Sequence, residues 1–277
     1  MKYQADHDLH IHSYISPCAR HDPRQTKEAI LAYGIASGFK LLCVTDHIWD
    51  KKGPGYCALW RGSGLDIEKG KEILPLPQSP LCRFLFGMEV DMDFDGNIAV
   101  TEPEYDTFDF LILSPSHLHM KDQTIDPKKV GPSAPEHKKY YQERIFRFLS
   151  IGLPLRKCGL AHFTTSLACR EDPYGMLELF SNADYEEIFK EVARSGMGME
   201  LNFEDDYEKA DEKQKEQVLR PYRIAKECGC TFYFGSDAHT PEGFAGRRAH
   251  FEWVIDTLGL EEKDKFPLIK EYIGSKE

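Results

Sequence analysis

Seven stretches of this chain close an apolar, strand-like run on a residue type that ligates metal ions. They are Asp8-Leu9-His10-Ile11-His12, Thr45-Asp46-His47, Gly87-Met88-Glu89, Ser116-His117, Ala161-His162, Glu200-Leu201-Asn202 and Gly235-Ser236-Asp237-Ala238-His239. One histidine after one strand carries little information. When most strands deliver imidazole or carboxylate at the same end, the strands are expected to run parallel and those ends to converge on one site.

Residues 40–44, 83–88, 108–113, 157–161, 196–201 and 231–234 read as strands whose apolar faces do not alternate cleanly, the pattern of parallel strands buried on both sides. Helical spacing fills the gaps at residues 26–36, after a Thr26 cap, and at 135–149, 184–193, 212–227 and 241–258. Strand, loop, helix, strand is the rhythm of linked βαβ units. About seven strands in 277 residues fit a closed parallel barrel better than an open doubly wound sheet, and no glycine-rich dinucleotide loop follows any strand. One domain over residues 1–277 is expected. Residues 51–80, rich in Gly and Pro, and the polar residues 119–135 read as long excursions beside the site, as lids or substrate walls often are.

The formal net charge of −11 excludes a broad basic surface for extended nucleic acid. An anionic substrate remains compatible with it, because bound divalent cations reverse the local potential. No apolar segment reaches membrane-spanning length and Met1 to Asp6 lacks a signal-peptide pattern, so a cytoplasmic protein with no membrane partner is expected. The eight cysteines are scattered and read as reduced thiols, with Cys228-Gly229-Cys230 at a helix-to-strand turn. The sequence fixes no oligomeric state.

His10 and His12 are separated by one residue, so on a strand both imidazoles share a face and can ligate one ion. Asp237 and His239 repeat that geometry at the far end of the chain. With His47, Glu89, His117 and His162 at other strand ends, they would meet at the carboxyl face of a barrel, where active sites are built.

These motifs, in this order over almost the whole chain, resemble the polymerase-and-histidinol-phosphatase superfamily of metal-dependent phosphoesterases. The resemblance implies a distorted (β/α)7 TIM-like barrel holding two or three divalent ions, zinc, manganese or iron. It implies that His10, His12, Glu89 and Asp237 hold one ion, that Glu89 bridges to a second completed by His117 and His162, and that His47 and His239 serve a third. Asp8, Asp46, Glu200 and Asn202 lie beside these ligands and would orient them. Tyr140-Tyr141-Gln142-Glu143-Arg144, following the loop after His117, is similar to the histidinol-phosphatase branch.

The chain departs from the family after His12. The position where members place Asp or His holds Pro17 and Cys18. Proline cannot ligate; Cys18 is a candidate additional ligand, with His21, Asp22 or a water as alternatives. His119 competes in register with His117, which is preferred for the preceding serine, and is left as a substrate or proton-transfer residue. His7, His137 and His250 stand outside any constellation and read as surface groups. Arg20, Arg170, Arg247 and Arg248 are candidates for substrate phosphate, since guanidinium matches phosphate oxygens bidentately.

By resemblance the expected activity is phosphomonoester hydrolysis by metal-activated hydroxide, on a small phosphorylated metabolite and foremost L-histidinol phosphate of histidine biosynthesis. The alternatives are a nucleotide or phosphotyrosine phosphatase, polymerase-associated proofreading, or a metal-binding barrel that has lost its chemistry.

Overall fold

The strands β1 (His7–Ile11), β2 (Leu41–Val44), β3 (Arg83–Val90), β4 (Phe110–Leu113), β5 (Cys158–Leu160), β6 (Gly198–Leu201) and β7 (Thr231–Phe234) form one sheet in sequence order. Each pairs in parallel with the next. This computed structural model describes residues 1–54, 65–203, 207 and 210–274; part of the 51–80 excursion lies outside them.

The sheet closes on itself through an unusual seam. Along β7 the N–H groups facing β1 are taken first by side chains, Phe234 N–H by His7 Nε2 at 3.0 Å and Ser236 N–H by Asp8 Oδ1 at 2.9 Å. Backbone pairing follows at the carboxyl end, from Asp237 N–H to the His10 carbonyl and from His12 N–H to the Ala238 carbonyl. The result is a TIM-like parallel barrel whose strand ends share one mouth.

Helices wrap the outside: α1 (Lys27–Ala36), α2 (Ile67–Gly70), α3 (Ala134–Ser150), α4 (Pro173–Leu179), α5 (Asn182–Ser195), α6 (Glu212–Glu227) and α7 (Arg247–Leu258); α8 (Pro267–Gly274) lies below the barrel. Their ends carry local signals. The Thr26 hydroxyl accepts from Ala29 N–H, and reciprocal capping boxes start α5 (Ser181 with Asp184) and α6 (Asp211 with Gln214). The helix expected over 241–258 is interrupted: a short turn at Pro241–Phe244 ends, and Gly246 at φ 71 precedes the first residue of α7.

Alternation along each strand sorts the core. Leu41 and Cys43, Leu85, Phe110 and Ile112, and Tyr233 point into the barrel, which Phe266, Leu268 and Ile269 fill from below. Continuing those inward registers by two residues at a time reaches His47 on β2's exit, Glu89 on β3 and Asp237 after β7. The hydrophobic interior and the polar mouth are one set of faces. No described helix is long and apolar enough to cross a membrane.

Candidate metal centre

Glu89 stands at the middle of the mouth with 1% exposure and five histidines around it. Its Oε2 lies 3.2 Å from His10 Nε2, 3.2 Å from His12 Nε2 and 3.0 Å from His47 Nε2. Its Oε1 faces the other way, 3.1 Å from His162 Nε2 and 3.4 Å from His117 Nε2, and accepts from the Ser114 hydroxyl at 2.5 Å. One carboxylate thus presents each oxygen to a different set of imidazoles. Asp237 Oδ1 completes the first set, 2.9 Å from His12 Nε2 and 3.3 Å from His10 Nε2.

The donors fall into overlapping groups, with one ligand atom per residue and all atoms of a group within 4.8 Å of one another. These are His10, His12, Glu89 and Asp237; Glu89, His117 and His162; His12, Cys18 and His47; and His47, Asp91 and His117.

Small residues and bent backbone make this crowding possible. A Cβ at Gly235 would run into Glu200 Oε1 and the His10 Cβ, so only glycine lets β7 approach β1 and β6 here. Asp237 at φ 52 and His162 at φ 20 hold left-handed conformations that cost non-glycine residues free energy, and such outliers cluster at functional sites.

Most of these imidazoles are oriented through the far nitrogen; His12, whose Nδ1 has no hydrogen-bond partner, is the exception. His10 Nδ1 is 2.7 Å from Glu200 Oε1, and Glu200 Oε2 accepts from the His162 N–H at 2.6 Å. His162 Nδ1 pairs with the Ser116 hydroxyl at 2.7 Å and His239 Nδ1 with the Asp237 carbonyl at 2.7 Å. Asp91 serves two rings at once, His117 Nδ1 at 2.8 Å and His47 Nδ1 at 3.0 Å. The Nε2 atoms are thereby turned inward, the arrangement of metal-ligating histidines backed by carboxylates. Asp91 is absent from the sequence reading, although Glu89-Val90-Asp91 has the same one-residue spacing as His10-Ile11-His12.

The electrostatics suit a cation. Burial would raise Glu89, yet His47, His10 and His117 hold it well below the usual carboxylate range. Asp91 and Asp237 are lowered in the same way, against burial, by His47 and by His10 respectively. Burial would lower His10, but Glu200, Asp237 and Glu89 raise it well above its ordinary value. Asp237 Oδ1 is buried and, despite its short distances to imidazole nitrogens, has no hydrogen-bond partner. An electron-rich oxygen held among imidazole nitrogens without a hydrogen bond has the character of a metal ligand, and imidazole with carboxylate is a donor set that suits zinc, manganese or iron.

The other sequence candidates separate by position. Glu200 touches His10. Asp8 instead secures the β1–β7 seam and the Tyr33 hydroxyl, and burial pushes its carboxyl up to about 6. Asp46 accepts from both the N–H and the hydroxyl of Ser13, 3.9 Å from His12 Nδ1. Asn202 stands apart, its carbonyl taking the Tyr222 hydroxyl at 3.5 Å.

A cavity of about 540 Å³ opens over the cluster, lined by Cys18, His47, His117, His239, His119 and Arg170 among others. Of the four candidate arginines only Arg170 lines it. Arg20 is exposed in the loop beyond Cys18, Arg247 Nε donates to the Gly243 carbonyl, and Arg248 is engaged with Glu252 and the Ser37 carbonyl. Burial, with His117 and Arg170 nearby, lowers His119 to about 4.

None of the three surface assignments holds, and His250 is half-buried with its ring against Phe203 and Trp253. His7 is wholly buried in the seam, and His137 is half-buried with Nδ1 against the Ala168 carbonyl. Cys228 and Cys230 sit where expected, across the turn from α6 to β7, with Gly229 at φ 85.

Fold and site together define a parallel TIM-like barrel with a cluster of metal-ligand side chains at its carboxyl mouth. No family model and no curated protein sequence matches the chain. Among solved structures, it is similar to histidinol phosphate phosphatase from Lactococcus lactis subsp. lactis, complexed with zinc, L-histidinol and phosphate. That match has 14% identity and a TM-score of 0.54, over 95% of this chain and 99% of that one. A proposed histidinol phosphatase from Listeria monocytogenes matches with 15% identity and a TM-score of 0.60, over 88% of this chain and 99% of the other. At these identities the likeness establishes the fold.

Proposed function

We propose that this chain is a metal-dependent phosphomonoesterase acting on a small phosphorylated metabolite, with L-histidinol phosphate the leading substrate. The observation that carries the reading is Glu89, whose two oxygens face two separate imidazole sets. His10, His12, Asp237 and Glu89 would hold one ion, Glu89, His117 and His162 a second, and His47 with His239 a third. The Lactococcus lactis neighbour supports zinc and an amino-alcohol phosphate; manganese and iron suit the same donors. Bound ions would lower the pKa of a water and neutralise charge on the phosphoryl oxygens.

The chain's own residues do the positioning. Glu89 keeps two cationic positions close, while Asp91, Glu200 and Ser116 fix ring orientation so that each Nε2 lone pair points into the mouth. Arg170 at the cavity wall would take phosphate oxygens bidentately, and His119 beside it would contact the leaving alcohol. The test is turnover of a panel of phosphomonoesters by metal-loaded protein. Release of phosphate from L-histidinol phosphate well above that from nucleotides or phosphotyrosine supports the reading. Absence of any phosphatase activity with zinc, manganese or iron supplied would sink it.

A further inference from the structure

We propose that Cys18, clustered with His47 and His12, supplies a thiolate to a metal position that selects a soft divalent ion such as zinc over manganese. The inference rests on the metal-centre reading of the mouth and adds to it a difference in chemistry between positions.

Cys18 lies in a single turn, Pro17–Ala19, held between fixed points. Upstream, Ser13 is bound by Asp46 through both its N–H and its hydroxyl, and the Ser16 N–H donates to the Ser13 carbonyl. The turn thereby delivers Sγ to the cavity wall beside His47 and His239. The thiol does not stand alone. One ligand atom each from Cys18, His12 and His47 lie within 4.8 Å of one another. The His12 ring stacks against His47, centroids 5.1 Å apart, and against His239 at 4.3 Å.

The nitrogens present have lone pairs to give. His239 donates its Nδ1–H to the Asp237 carbonyl and His47 Nδ1 lies 3.0 Å from Asp91, so ligation by either ring would run through Nε2. His12 is wholly buried and its Nδ1 has no hydrogen-bond partner. A position with a thiolate and two imidazoles differs from the three other groups, which are imidazole and carboxylate throughout. Thiolate favours zinc and disfavours manganese, whereas imidazole with carboxylate accepts either. On binding, the thiol proton passes to solvent. Among the described residues no other cysteine belongs to a cluster of metal-ligand side chains.

The experiment is cobalt substitution of the full-length protein, read by absorption. A thiolate-to-cobalt charge-transfer band in the near ultraviolet is expected in the native sequence. It should be lost in Cys18→Ser, while visible cobalt bands from the other positions remain. Elemental analysis after dialysis against mixed zinc and manganese should show Cys18→Ser losing one zinc equivalent per chain, and Cys18→Asp taking up at least tenfold more manganese at that position. Absence of the charge-transfer band from cobalt-loaded native protein, or its persistence in Cys18→Ser, overturns the proposal. Either result with phosphatase activity intact leaves the phosphomonoesterase reading standing. Failure of the native chain to bind any divalent ion would remove both.

Discussion

Asp91 shows how much one carboxylate outside the sequence motifs can organise. Each of its oxygens takes a different imidazole, so Asp91→Asn replaces one acceptor with a donor and frees one ring. Loss of such a partner weakens metal binding by about 10–100-fold. Chelator competition on the purified variant should show that weakening, and an unchanged affinity would mean that Asp91 does not orient the rings. The residue was legible in principle, because period two puts positions 89 and 91 on one face. The apolar run that marks the strand in sequence stops at Met88 and so hides this face, whereas β3 runs to Val90. His10, His12 and Asp237 were legible for the opposite reason: their spacing is visible without knowing where the strand stops. Asp8 read as an orienting residue only because it neighbours His10; its seam role depends on β7, more than two hundred positions away.

At the scale of elements, α3 holds the loops that carry the site. Arg144, 2% exposed, donates from Nε to the Pro115 carbonyl, from Nη1 to those of Asp93 and Thr124, and from Nη2 to that of Met92. Tyr140 reaches the Thr124 carbonyl and Tyr141 that of Phe163. One helix face therefore ties together the chain after β3, β4 and β5, two residues from Asp91 at one end and two from His117 at another. Arg144→Met would leave buried carbonyls without donors, at a cost on the order of 3 kcal/mol. Urea unfolding should show that loss, accompanied by reduced metal content. Arg144→Lys, with a compact ammonium in place of the planar fork, should recover only part of it. Stability within 0.5 kcal/mol of the parent, about the usual range for surface substitutions, would refute the role. The periodicity of 135–149 revealed the helix, and the Tyr140–Arg144 segment stood out as a motif. What it binds was invisible, since backbone carbonyls leave no trace in sequence. The break at Gly246 was likewise hidden, because a single glycine inside a helical pattern does not announce a positive φ.

For the molecule as a whole, closure of the barrel sets its response to acid. Lys265 Nζ lies 3.0 Å from both oxygens of Asp6, and His7 shares Asp6 Oδ1 while its Nε2 accepts from Phe234. Burial would raise Asp6, but His7 and Lys265 lower it from 3.8 to about 2. Its contribution is present above pH 3.8 and is lost as pH falls toward 2. Burial lowers His7 below 6.5, although Asp6 opposes it, and protonating Nε2 would also break the Phe234 bond; this contribution is complete above pH 6.5 and also declines in acid. Lys265→Met should cost about 3 kcal/mol at neutral pH by removing the cationic partner of a buried carboxylate, and should flatten the acid limb of stability against pH. An acid limb identical to the parent's would contradict the pairing. The barrel itself was readable from parallel apolar runs and strand-end ligands, whereas the side-chain seam that closes it was not. The central claim is that those strand ends assemble one multi-ion centre around Glu89. Elemental analysis of purified parent and Glu89→Gln protein tests it most directly. More than one equivalent of divalent metal per parent chain, falling for both neighbouring positions together in the variant, is the expected result; equal metal content in the two proteins would contradict it.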